Sequence, residues 1–306
     1  MIRRPVIISL GAAVLVLGIV FGTVMLVQGG PAPTVQQDGA KDTTSMLRRA
    51  AQIVRASGVD SAFIEDLLAQ PETSFNEDFA RINVTNYAVK VDYSHNYNAP
   101  SIRRVKEFIS NNDSILTVCE HTYGVQREVV AAILWVETKY GRILGKHHVP
   151  SVFLSVVLCR EPEFIERNVE KVIAGEPLDT AGVDSVRRLI RQKADRKVRW
   201  AIDQLRSLSD MQRRGVINVH KLYGSWAGAF GLTQFLPSSY QRWAQDGDGD
   251  GTIDLYAIQD AVHSVANYLR SNGWGTTPAS HRSAIFHYNN STAYVDAVLT
   301  LAAKVR

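Results

Sequence analysis

Residues 5–27 carry no charge, are rich in Val, Leu, Ile and Ala, and directly follow Arg3 and Arg4. A bilayer core needs about 20 apolar residues as helix, and a secretory targeting core only about 7–15. The basic flank precedes the run, which holds the N-terminus in the cytoplasm and sends the rest of the chain across the membrane. Residues 1–28 therefore read as a retained transmembrane anchor or as a long cleaved signal. The run length favours the anchor.

The remainder of the chain must then fold outside the cytoplasm. The 306-residue chain is 45% hydrophobic and 21% charged, the balance of a globular protein rather than a disordered one. A net charge of +4 suits an anionic partner but does not argue for nucleic acid. The two cysteines, Cys119 and Cys159, are too few for a disulfide scaffold or a cysteine-rich metal site. A disulfide is permitted in that compartment, yet both lie in apolar helical contexts, where buried thiols are the plainer reading. Neither is near the apolar run, so a lipid-attachment site is absent there.

Residues 29–44 are rich in Gly, Pro, Gln and Asp and read as a tether. Helical patterns then dominate over 46–57, 61–70, 101–110, 113–123, 127–140, 150–158, 162–174, 184–212, 262–271 and 293–305, many ending at Gly or Pro. Residues 73–100 read as irregular. Strand alternation is scarce, so the expected class is mainly α.

Glu137 is the first chemical candidate. On a helix its neighbours three and four residues away are Ile133, Leu134, Tyr140 and Gly141, none of them a cation. It falls in the last turn, at the negative end of the helix dipole. Apolar surroundings and the dipole both disfavour the carboxylate and raise its pKa, which suits a general acid. A solvent-facing glutamate paired with Arg142 is the competing reading. The second candidate is the block 224–240, Gly-Ser-Trp-Ala-Gly-Ala-Phe-Gly-Leu-Thr-Gln-Phe-Leu-Pro-Ser-Ser-Tyr. Its small residues allow close backbone approach. Gln234 offers donor and acceptor to a sugar substituent, and Trp226, Phe230 and Phe235 offer stacking faces. A tightly packed helix pair is the structural alternative.

Val-Glu-Thr-Lys-Tyr-Gly at 136–141, the block at 225–240, Ser-Val-Ala-Asn-Tyr-Leu at 264–269 and Tyr-Asn-Asn-Ser-Thr-Ala-Tyr-Val at 288–295 occur in an order that resembles the membrane-bound lytic transglycosylase B family. The resemblance is good over 113–306, weak over 45–112 and absent before. It implies a lysozyme-like catalytic domain over 45–306 that acts on bacterial peptidoglycan from the periplasmic side of the inner membrane. It also implies Glu137 as the catalytic acid/base, with Ser225 hydrogen-bonded to it. Gln234, Phe235, Tyr268, Tyr288, Asn289 and Tyr294 would line the saccharide groove, and Tyr93 matches more loosely. The implied chemistry uses one carboxyl group where most glycosidases use two, and leaves a 1,6-anhydro sugar on N-acetylmuramic acid.

Two features depart from that pattern. The anchor stands where the family carries a lipid-modified cysteine. The stretch 161–199 is long and divergent and carries Arg187, Arg188, Arg191, Lys193, Arg196, Lys197 and Arg199. These charges form either a solvated helix face or a contact for the carboxylates of peptidoglycan stem peptides.

Asp246-Gly-Asp-Gly-Asp-Gly-Thr-Ile-Asp254 places oxygen ligands at positions 1, 3, 5 and 9 of an EF-hand-like loop, with glycine at 6. Position 12 is Ala257, and Asp260 can replace the missing acid in an extended loop, a lengthening the family also has. Asp246, Asp248, Asp250, the carbonyl of Thr252 and Asp260 are thus the expected calcium ligands. A metal-free acidic turn is the other reading. Two rivals to the transglycosylase remain: a hydrolytic muramidase, and a non-catalytic peptidoglycan-binding scaffold.

Overall fold

The computed structural model describes residues 38–85, 92–174 and 178–306. The apolar run 5–27 lies outside them. Among the described residues no helix is long and apolar enough to cross a membrane. The fold is mainly α. In chain order it comprises α1 (Asp38–Ala56), α2 (Ser61–Ala69), α3 (Glu77–Thr85), α4 (Ala99–Asn111), α5 (Asp113–Tyr123), α6 (Arg127–Thr138), α7 (Val149–Val156), α8 (Pro162–Ile173), α9 (Thr180–Arg213), α10 (Pro237–Trp243), α11 (Ile258–Ser271), α12 (Pro278–Tyr288) and α13 (Thr292–Val305).

Helix α6 is the hub. Every residue from Val129 to Trp135 is buried, the pattern of a helix enclosed on all faces. Helices α4, α5, α11 and α13 pack around it. A second layer forms where α9 lies across α7, α8 and the 3-10 turn Val157–Arg160. Cys119 and Cys159 are buried and free, and burial pushes both thiols up to about 12; the buried-thiol reading holds.

Several elements differ from the sequence reading. Helix α1 starts at Asp38, so the segment expected as a tether is helical from there. Helix α3 forms within the stretch read as irregular, with Glu77 and Asp78 in its first turn, where acids complement the dipole. Helix α9 begins four residues early because Asp179 caps it, accepting the Gly182 N–H at 2.8 Å. Helices α10 and α12, also unread, each open on a proline in the first turn, and Thr277 and Ser280 make a capping box for α12.

The strands are minimal: β1 (His147–His148) pairs antiparallel with β2 (Tyr223–Gly224), with His147 opposite Gly224. From β2 the chain folds into a tight meander, Gly224 bridging Phe230 and Phe230 bridging Phe235. The loop leaving α6 lies directly on it. At Gly145 (φ +86°) an added Cβ would stand 2.2 Å from the Gly224 carbonyl oxygen. Backbone meets backbone there, so no rotamer change relieves the clash.

Gly145→Ala should therefore cost about 3 kcal/mol or more, from left-handed strain plus overpacking. Gly215→Ala, at φ +67° with open space around it, should cost about 1 kcal/mol, from strain alone. Denaturant unfolding of both variants checks this, and equal losses would contradict the close-approach argument.

Candidate active site

Helix α6 ends abruptly at Thr138. Lys139 (φ 53°) and Tyr140 (φ 57°) are both left-handed, a conformation costing about 1–2 kcal/mol for each non-glycine residue. Surrounding contacts hold them in place. The Thr138 hydroxyl donates to Leu232 O (3.2 Å) and accepts from the Gly141 N–H (3.1 Å). The Tyr140 hydroxyl donates to Ala131 O (3.1 Å), and its ring stacks on Phe108 with centroids 3.9 Å apart. The helix terminates one residue after Glu137, and Leu232 of the meander is fastened to that end.

Glu137 receives a hydrogen bond on Oε1 from the Tyr294 hydroxyl of α13 at 2.6 Å. Its Oε2 is sealed from solvent and has no hydrogen-bond partner among the described residues. Burial pushes the Glu137 carboxyl up to about 8, against the smaller opposing effects of the Tyr294 hydrogen bond and the Lys139 charge. Burial also brings the Lys139 ammonium down to about 8. That ammonium donates to Asn96 Oδ1 and to Trp135 O. Tyr93 is buried edge-on to Tyr294, with ring centroids 5.7 Å apart, and its hydroxyl has no partner among the described residues. The site thus pairs a protonatable acid with a ring of un-ionised tyrosines.

Gln234, Phe235, Tyr268 and Tyr288 line one solvent-open cavity together with Trp200, Leu236, Ser239 and His287. Tyr268 and Tyr288 stand 4.8 Å apart, edge to face, and Phe235 lies within 6 Å of both rings. Their hydroxyls are anchored, Tyr288 to Thr233 O (2.6 Å) and Tyr268 to His287 O (2.7 Å). Gln234 is itself left-handed (φ 51°), its amide held by Gly231 O (2.9 Å) and Leu144 O (3.3 Å). Asn289 ends α12 almost fully buried, with neither side-chain amide atom paired among the described residues.

One expectation needs correction. Ser225 does not bond Glu137: its Oγ accepts from the N–H groups of Ala227 (3.3 Å) and Ala229 (3.2 Å), which the turn it opens leaves in need of an acceptor. The carboxyl partner is Tyr294. In the acidic loop, oxygens of Asp246, Asp248 and Asp260 gather within 4.8 Å of one another. Asp250 stands outside this group and accepts the Thr252 N–H (2.7 Å). Sequence reasoning also missed Lys139, Asn96 and Trp200. The Lys139 signal, a lysine directly after Glu-Thr and before Tyr-Gly, was available.

The acidic cluster suits a divalent cation. Asp260 is 2% exposed, and no cationic side chain pairs with it among the described residues. Its pKa is raised by burial and by the charges of Asp248 and Asp246, against the Gly247 and Asp254 N–H bonds it accepts. Three crowded carboxylates, one of them buried, form a hard-oxygen donor set.

A family model described as a transglycosylase SLT domain matches residues 42–285, more than half of the chain. Over 169 residues the chain is 31% identical to the membrane-bound lytic murein transglycosylase B of Escherichia coli K12. That match covers 55% of this chain but only 37% of the relative's length. Among solved structures, the Pseudomonas aeruginosa SltB3 complex with NAG-anhNAM-pentapeptide superposes with TM-score 0.64 at 21% identity, covering 86% of this chain and 79% of that one. The Escherichia coli lytic transglycosylase Slt35 in complex with calcium gives TM-score 0.59 at 21% identity, covering 85% and 92%. At that identity the two structures establish the fold.

The Glu137 environment makes a prediction of its own. An acid with an ordinary value of 4.5 that titrates near 8 when folded holds its proton more tightly in the folded state. The stability it contributes is full below about 4.5 and is lost as pH rises through 8. Glu137→Gln should therefore be more stable than wild type near pH 8, by on the order of 1–3 kcal/mol, and melt higher there, with the gap shrinking toward pH 5. Melting curves across that range check the sign, and a pH-independent difference would contradict it.

Proposed function

The chain belongs to the transglycosylase SLT domain family, and from that membership we propose that it is a lytic transglycosylase cleaving the β-1,4 bond between N-acetylmuramic acid and N-acetylglucosamine in peptidoglycan. One observation carries the mechanism: Glu137 is a buried acid held protonated near neutral pH, and no second carboxylate among the described residues bears on it. None of the residues lining the adjoining cavity is acidic either. Hydrolytic glycosidases place two carboxyl groups about 5–9.5 Å apart to activate water or form a covalent intermediate. A single acid suits an attack from within the substrate.

Glu137 donates its proton to the leaving glycosidic oxygen as the C1–O bond breaks, releasing the N-acetylglucosamine 4-hydroxyl. The N-acetyl group of the muramic acid stabilises the cationic centre. The 6-hydroxyl of the same sugar attacks C1 and returns its proton to Glu137, closing a 1,6-anhydro ring without water. Tyr294 steadies the carboxyl through Oε1. Gln234, Phe235, Tyr268, Tyr288 and Asn289 bind the sugars, and Ser225 supports the turn that carries Gln234. The SltB3 complex with a NAG-anhNAM-pentapeptide supports this substrate and product.

Asp246, Asp248 and Asp260 hold a calcium ion within this reading, with Asp250 and Thr252 completing the loop, as the calcium complex of Slt35 supports. The ion would neutralise the crowded carboxylates. Residues 5–27 anchor the enzyme to the inner membrane, and the membrane-bound relative supports that placement.

Glu137→Gln should lower turnover at least about a hundredfold while leaving glycan binding intact. Mass spectrometry of digested peptidoglycan should find anhydro-muramic ends; reducing ends would indicate a muramidase, and no cleavage a binding scaffold. Chelation should lower the melting temperature and calcium restore it, because binding to the folded state stabilises that state. A melting curve indifferent to both would refute the metal loop.

A further inference from the structure

The left-handed residue that stops α6 is a lysine. A helix that ends in this conformation usually ends on glycine, which adopts it without a steric cost. Glycine at 139 would stop α6 as well, so a strained side chain retained there points to a function of that side chain. Lys139 turns back along the helix end. Its ammonium donates to the Trp135 carbonyl at 3.2 Å and stands 4.9 Å from the centre of the Trp135 ring. A cation there meets the negative end of the helix dipole. The same ammonium also donates to Asn96 Oδ1, 43 positions earlier in the chain.

Asn96 makes this contact part of a closed circuit. It is 1% exposed and ends the 3-10 turn Ser94–Asn96, its N–H donating to Tyr93 O at 2.9 Å. Tyr93 packs edge-on to Tyr294, and Tyr294 donates to Glu137 Oε1. The path from Glu137 through Lys139, Asn96, Tyr93 and Tyr294 thus returns to Glu137. The titratable groups facing the carboxyl are Lys139 at the end of α6, Tyr93 before the turn, Tyr288 at the end of α12 and Tyr294 of α13. Tyr268 of α11 bears on Tyr288. His95 faces Asn96 instead, its Nε2 lying 3.2 Å from the amide nitrogen. Lys139 is the cation of this set, and burial keeps the tyrosines un-ionised.

We propose that Lys139 is a positioning residue for Glu137: its ammonium holds the Tyr93 turn against Tyr294 and supplies the positive charge that offsets the carboxylate formed as the proton leaves. The proposal rests on the transglycosylase reading above. A buried acid that holds its proton too tightly donates it poorly. A direct salt bridge would remedy this by ionising the acid at rest, which defeats the purpose. Lys139 instead gives its hydrogen bonds to neutral oxygens, those of Asn96 and Trp135. Its charge therefore favours the ionised form of Glu137 without taking the proton from the resting enzyme.

The test reads anhydro-muropeptide release from purified peptidoglycan between about pH 5 and about pH 9. Lys139→Met should lower kcat about tenfold with KM within about twofold. It should also move the alkaline limb of kcat/KM upward by about half a pH unit or more, since Glu137 then ionises less readily. Lys139→Arg should keep the limb at or below its wild-type position, because a guanidinium stays charged. Asn96→Ala keeps the ammonium but frees the turn, so kcat should fall with no upward movement of the limb. Lys139→Gly removes the charge while relieving the backbone strain, and it reports the limb if Lys139→Met does not fold. A limb at the wild-type pH in the charge-free variants would make Lys139 a helix stop only and overturn the proposal; so would wild-type kcat in Lys139→Met. A second readout needs no turnover. The stability gap between Glu137→Gln and its parent should level off at higher pH in the Lys139→Met background than in the wild-type background, and an unmoved gap would count against the proposal. Absence of anhydro products from the wild-type enzyme is a separate result that refutes the transglycosylase reading alone.

Discussion

A carboxyl group placed against the inside of a helical core governs this structure. Water is the most favourable partner for a carboxylate, and Glu137 is denied it on one oxygen and given a single tyrosine on the other. That position costs stability at neutral pH, and strain continues along the chain, since Lys139 and Tyr140 are left-handed directly after it. Helix α6 tolerates this because its residues from Val129 to Trp135 are all buried. An enclosed helix cannot shift to relax its last turn.

The same rigidity sets the wall that carries Gln234 and Phe235. Contact between the end of α6 and the meander is made largely by backbone: the Leu232 carbonyl at Thr138, β1 with β2, and Gly145 on Gly224. Side-chain contacts would allow repacking over fractions of an ångström. Backbone contacts at glycine fix Gln234 and Phe235 relative to Glu137 with much less freedom, which is what the proposed attack by a substrate hydroxyl would require.

Much of this was legible in the sequence, for identifiable reasons. Apolar runs closed by Gly or Pro located most helices, and Gly124 ends α5 left-handed as that rule expects. The raised pKa of Glu137 was inferred from its apolar neighbours. Tyr294 was read as a groove residue, and its bond to Glu137 crosses 157 positions, a distance no local pattern encodes. Helix α3 was missed because its tertiary contacts with α7, α8 and α9 outweigh a polar local sequence. Ser225 was assigned by resemblance to the carboxyl, but a tight turn satisfies its own N–H groups first.

The acidic loop makes no contact with Glu137 and yet bears on the same wall. Asp260 sits in the first turn of α11, which carries Tyr268 two turns later. The loop's other end meets the meander: the Leu232 N–H donates to Leu255 O (2.8 Å), and the Tyr240 hydroxyl donates to Ile253 O (2.9 Å). The oxygens of three carboxylates lie within 4.8 Å of one another where the loop meets the start of α11, and a cation bound there would relieve their repulsion. Tyr268 of α11 and Phe235 of the meander stand with ring centroids 5.6 Å apart. The loop thus touches both α11 and the meander, the two elements that carry Tyr268 and Phe235.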